Sequence, residues 1–152
     1  MQLAHYLGLI HRAEAHLSDA FLEVGRAHED EPDVRHDCER MARQCDEHVE
    51  RLTPFVERYG ENAPAEPDRL HSDLFHGPRS GGLALLRDLQ DLYLMAAESD
   101  ITWTVIGQAA QGARDAELLA VVDACEHDTA IQLAWLRTRM KAAAPQALVV
   151  AP

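Results

Sequence analysis

The 152-residue chain is short of several things at once. Aromatic residues make up 5% of it, glycine and proline number 8 and 7, and lysine occurs once, at Lys141. With 47% apolar residues, that composition excludes a disordered or collagen-like chain and leaves one globular domain large enough to bury its own core. The three cysteines, Cys38, Cys45 and Cys125, are odd in number and form no repeated framework. This argues against the disulfide scaffold of a small secreted domain and points to a reducing, cytoplasmic setting. No stretch approaches the ~18 uncharged apolar residues of a membrane span, and no basic stretch precedes an apolar one at the N-terminus, so neither a membrane helix nor a secretory leader is expected. Positive charge is also scarce: 14 Lys+Arg stand against 26 Asp+Glu, for a net charge of −12. That field repels phosphate backbones and anionic bilayers, so neither nucleic acid nor membrane is expected as a partner. Phosphate-cradling and nucleophile-elbow glycine motifs are missing too, and Gly77 to Gly82 reads as a hinge.

What the chain does have is helical periodicity. Leu3, Leu7, Ile10, Leu17, Phe21 and Val24 recur on one stripe and predict a helix over 2–28. Pro32 suits a first helical turn, and Val34, Cys38, Met41, Cys45, His48, Leu52, Phe55 and Tyr59 then alternate steps of four and three, predicting a helix over 33–59, with Pro54 expected to kink its last turns. Leu85, Leu89, Leu92, Ala96, Ser99, Trp103, Ile106 and Ala110 predict a third helix over 83–111. Leu118, Val122, Cys125, Thr129, Leu133, Leu136 and Met140 predict a fourth over 114–142, begun at Arg114-Asp115. Between the second and third, Gly60, Pro64, Pro67, Gly77, Pro78, Gly81 and Gly82 mark a long connection with an apolar island at Leu70, Leu74 and Phe75.

Connection lengths set the expected topology. Two short turns make helical hairpins, and a connection of about 20 residues can run the length of a bundle at ~3.3 Å per residue. The expectation is an all-α, antiparallel four-helix bundle spanning 1–144, built of two hairpins joined by one long crossover. An apolar tail over 145–152 would lie on the bundle or on a second subunit, and a homodimer through the tail or an apolar helix face is expected.

The middle of each helix carries the chemistry. Glu14 lies halfway along the first, on the stripe of Leu7 and Phe21; Cys45-x-x-His48 is on the innermost seam of the second; Glu98 is beside Ser99 on the third; and Cys125-x-x-Asp128 is on the fourth. The run Cys45-Asp46-Glu47-His48-Val49-Glu50-Arg51-Leu52 is similar to the second-helix motif of the ferritin-like superfamily, the broad group of bacterioferritin, rubrerythrin and the YciF-type stress proteins. Helix lengths and crossover extend the resemblance over most of the chain. It implies a mid-bundle metal site and a metal-binding or redox-stress role, with Glu14, Cys45, His48, Glu98, Cys125 and Asp128 as the metal ligands. Cysteine begins both paired motifs where the family has glutamate, and the second ends in aspartate, so the bridging carboxylates of a di-iron pair have no counterpart. Thiolates with imidazole form a borderline-soft set suited to Zn²⁺ or Cu(I), with Met41 and Cys38 as soft neighbours, and Zn, Cu, Fe or no metal at all stay open as the cofactor.

A second reading stands beside it. Cysteine fills bundle seams simply because it is small and apolar, and His48 could be a core histidine held by Glu14, Ser99 or Thr129, leaving a metal-free bundle that acts as a structural or protein-interaction module. His5, His11 and His16 share no metal-clamp spacing, His28, His36, His71, His76 and His127 read as loop or surface positions, and hemerythrin-type His spacings are missing from the seams. Trp103 and Trp135 read as core packing.

Overall fold

The computed structural model describes residues 2–60 and 74–150. Among them the regular structure is helical: α1 (Leu3–Ala27), α2 (Pro32–Gly60), α3 (Ala84–Gly112) and α4 (Ala116–Pro145), followed by one wider, π-type turn over Gln146–Val150. The four helices pack together, α1 along α2 and α3 along α4, with α1 against α3 and α2 against α4 closing the bundle. Much of the connection, including Leu70 and the prolines Pro64 and Pro67, lies outside the described residues; 74–80, which carries Leu74 and Phe75, runs without regular structure.

Helix ends follow local chemistry. Arg114 does not start α4, because it takes a left-handed φ of 56° that a helix cannot accommodate. Asp115 then caps the helix, its Oδ1 accepting the Leu118 N–H at 3.0 Å. The other Asp115 oxygen accepts from Tyr59 Oη at 2.7 Å and Arg58 Nη1 at 3.0 Å, pinning the end of α2 to the start of α4. α2 continues through Pro54 to Gly60; Pro54 and Glu50 are exposed, so the carbonyl freed by the missing donor meets water. At its far end α4 runs on to Pro145, and Leu148, Val149 and Val150 of the tail are exposed.

The core has two apolar halves. One gathers Leu17, Phe21, Val24, Val34, Met41, Leu89, Leu92 and Leu136; the other gathers Leu7, Ile10, Leu52, Trp103, Ile106, Leu118 and Val122. Between them lies a buried polar layer of Glu14, His48, Ser99, Thr129 and Gln132, all with 0% exposure. The seam residues expected on α2 are buried from Val34 to Phe55, as a four-three alternation on a helix requires.

Cross-helix contacts run down the α1/α2 pair in order: His11 with Thr53 at 3.1 Å, Ser18 donating to Asp46 Oδ1 at 2.6 Å, and Gly25 against Cys38. At Gly25 a Cβ would sit 3.0 Å from the Cys38 Cβ, an atom fixed to the facing helix backbone. Alanine there gains helix propensity, about 1 kcal/mol, but forces two backbones apart. Gly25→Ala is therefore expected to lower stability by about 1–2 kcal/mol in chemical denaturation. Gly112→Ala, with nothing within 4 Å of its Cβ position, should be neutral or stabilising.

Candidate functional site

The polar layer is built from all four helices. Glu14 projects from the buried stripe of α1, and one of its oxygens, Oε1, lies 2.5 Å from Nδ1 of His48 on α2. The other, Oε2, accepts from Ser99 Oγ of α3 at 3.2 Å. On the opposite side of the imidazole, Nε2 lies 2.9 Å from Asp128 Oδ2 of α4. Glu14 and His48 side chains are wholly buried, whereas the Asp128 side chain is 28% exposed and carries the layer to the surface.

An imidazole with a carboxylate at each nitrogen donates from both and so carries a proton on each. Burial by itself would push the His48 pKa down; the contacts with Cys125 and Glu14, and the negative charge of Glu14, overcome it and raise the pKa to about 11. The cation at the centre of the layer is thus the histidinium itself. Trp103 walls the ring edge-on, with centroids 5.8 Å apart and planes at 88°. Its Nε1–H donates to Thr129 Oγ1 at 3.0 Å, and Thr129 in turn donates to the Cys125 carbonyl at 2.9 Å.

The thiols line the same layer. Cys45 is pushed well above the ordinary thiol range, first by burial and then by the charge of Glu14. The Gln132 amide donates to Gln44 Oε1 at 3.1 Å and approaches Cys45 Sγ at 3.8 Å, while its own Oε1 is buried without a hydrogen-bond partner among the described residues. Cys38 lies farther along the α2 seam in the apolar half, its pKa raised to about 12 by burial and by neighbouring Asp37.

Of the six residues expected at a metal centre, Glu14, Cys45, His48, Cys125 and Asp128 come together in this layer. Glu98 does not: it is half-buried and lines outer grooves, one with His16, Asp19, Glu23, Phe75 and Met95, the other with Tyr6, Leu94 and Ile101. Its neighbour Ser99 takes the inner position, as the seam Ala96, Ser99, Trp103 already implied. The partners of His48 are likewise Glu14 and Asp128, with Thr129 engaged by Trp103.

These residues do not fit a di-iron pair, and as placed they do not fit a single metal ion. Both ring nitrogens of His48 donate to carboxylates and so keep no lone pair free for a metal, and among the described residues no three His, Cys, Asp or Glu side chains are disposed to hold one.

A second polar cluster was not legible in the sequence. His28, expected at the surface, is buried, and its Nε2 meets Asp88 Oδ2 at 2.8 Å. Asp88, with 0% exposure, also accepts from the Arg79 backbone N–H at 3.1 Å and from its guanidinium at 3.1 Å. The cluster fastens the 74–82 segment to α3 and to the end of α1. Its only sequence signal was an Asp set beside the seam residue Leu89 near the start of α3.

Comparison with protein-family models, with curated proteins and with solved structures returns no match.

The tie predicts a non-additive mutant cycle. His48→Leu strands the buried Glu14 carboxylate and should cost about 3–5 kcal/mol in denaturant unfolding, whereas Glu14→Leu with His48→Leu removes both charges and should recover most of it. Because the folded pKa of His48, about 11, lies above the ordinary 6.5, its contribution is complete below pH 6.5 and fades as pH rises towards 11. Thermal unfolding of the wild type should therefore weaken across that window, and the double variant should lose this part of the decline.

Proposed function

We propose that the chain is a ferritin-like bundle of two antiparallel hairpins joined by a crossover, in which a proton on His48 takes the central place a metal would have. It then serves as a metal-free structural or protein-interaction module. The observation that carries the reading is the saturation of both His48 nitrogens by Glu14 and Asp128. The descending order of contacts between α1 and α2, from His11–Thr53 to Gly25–Cys38, supports the antiparallel hairpin. The mid-helix position of the polar layer supports the ferritin-like comparison.

The competing reading is a Zn²⁺ or Cu(I) site on Cys45, His48 and Cys125 with a carboxylate, and the unpartnered Gln132 Oε1 in the same layer is the observation in its favour. That site would have to expel the His48 proton and ionise a thiol already held far above its usual range, so metal uptake would release protons and strengthen steeply with pH.

The deciding measurement is metal content per folded subunit by mass spectrometry, after untagged protein is offered Fe²⁺, Zn²⁺ and Cu(I) anaerobically. The metal-free reading predicts no metal above that of the Glu14→Leu/His48→Leu variant. Near-stoichiometric metal in the wild type that is lost in the variant would replace it with the metal centre.

A further inference from the structure

Charge is spread unevenly along this acidic chain. Residues 129–152 carry the cationic side chains Arg137, Arg139 and Lys141 and no Asp or Glu, in a chain whose net charge is −12. Arg139 is neutralised by Glu31 at 3.0 Å and Asp33 at 2.7 Å. Arg137 and Lys141, one turn apart on another face of α4, meet no carboxylate among the described residues.

These two cations stand in the wall of an open groove between α3 and α4. Its volume, about 470 Å³, falls within the ~300–1,000 Å³ of small-molecule sites. Leu86 and Tyr93 of α3, Met140 and Ala144 of α4 and Leu148 of the tail give apolar walls, Gln90 a neutral polar one, and no described Asp or Glu takes part. The groove is also polarised along its length. Arg137 stands beside Tyr93 with Lys141 one turn on, and Leu86, Ala144 and Leu148 continue it as apolar surface for about 10 Å at 1.5 Å per residue. Leu148 is 64% exposed, so the apolar end is left uncovered.

Arg137 has a fixed seat. Its guanidinium stacks over the Tyr93 ring, 5.1 Å from the centroid, and donates to Tyr93 Oη from Nη2. The other N–H groups have no acceptor among the described residues, and a guanidinium held in this way offers a planar fork that matches a carboxylate. The long-range field of the chain opposes anions, but salt screens it beyond about 8 Å under physiological conditions. An extended anionic surface such as a bilayer would still face the whole acidic molecule, whereas a single carboxylate in the groove meets the cation pair at short range.

We propose that this groove binds a single-chain amphiphile with a carboxylate head, of the class of medium-chain fatty acids. The head rests on Arg137 and Lys141, and the chain runs along Met140, Leu86 and Leu148. The groove lies on the outside of the bundle, so the site is independent of whether the core layer holds a proton or a metal.

Isothermal titration calorimetry on the full chain tests the site, with decanoate below its micelle concentration as the probe. One decanoate is expected to bind per chain, while acetate, which has the head alone, and decyltrimethylammonium, which carries the chain on a cation, give no saturable heat. Arg137→Gln/Lys141→Gln should weaken decanoate binding about tenfold, and Leu148→Asp, which sets a charge at the apolar end, should weaken it to a similar degree. All three positions are exposed, so far-ultraviolet circular dichroism should not change. No saturable binding of decanoate, equal binding of decyltrimethylammonium, or decanoate binding that either variant leaves unchanged would overturn the proposal. Phosphatidylglycerol vesicles that sediment the chain while decanoate stays unbound would replace it with a membrane surface.

Discussion

The fold turns on one hydrogen-bonded ion triad, Glu14–His48–Asp128, set where a helical bundle would ordinarily place only apolar side chains. Two of its members are wholly buried, and burying a charge is tolerated only when its partner is held in good geometry. Each member comes from a different helix, and Ser99 adds the fourth by donating to Glu14. Sliding α1 or α2 by one turn, about 5.4 Å, would strand a charge in the interior, and sliding α3 or α4 would take a hydrogen-bond partner from that pair. The apolar halves on either side supply the bulk of the burial free energy, and they would tolerate such a slip far better than the triad does.

The triad also organises the neighbouring chemistry. Contacts with Cys125 and Glu14, and the negative charge of Glu14, keep His48 protonated, while burial, with that same charge, keeps the Cys45 thiol from ionising. The Cys45 thiol and the His48 imidazole are thereby both held in their protonated forms.

Much of this was legible in the sequence, for identifiable reasons. The α2 seam from Val34 to Phe55 could be read because alternating four- and three-residue steps leave one solution on a helix, and His48 stood on it among apolar residues. Glu14 could be placed because it shares a stripe with Leu7 and Phe21. Glu98 was misread because carboxylates were sought by residue type, whereas the periodicity Ala96, Ser99, Trp103 already directed Ser99 inward and Glu98 out. The pairing of His28 with Asp88 was invisible, since it joins positions 60 residues apart through a loop whose path no local pattern encodes. The start of α4 was set a residue or two early because the left-handed turn at Arg114 falls on a residue type that gives no warning of it.

The protonation state of His48 tests the central claim most directly. Nitrogen chemical shifts of its ring, measured by NMR on the folded protein at pH 8, distinguish an imidazolium from a neutral or metal-bound imidazole. The account predicts two protonated ring nitrogens at that pH, consistent with a pKa of about 11. A single protonated nitrogen, with the other bare or bound to metal, would contradict it.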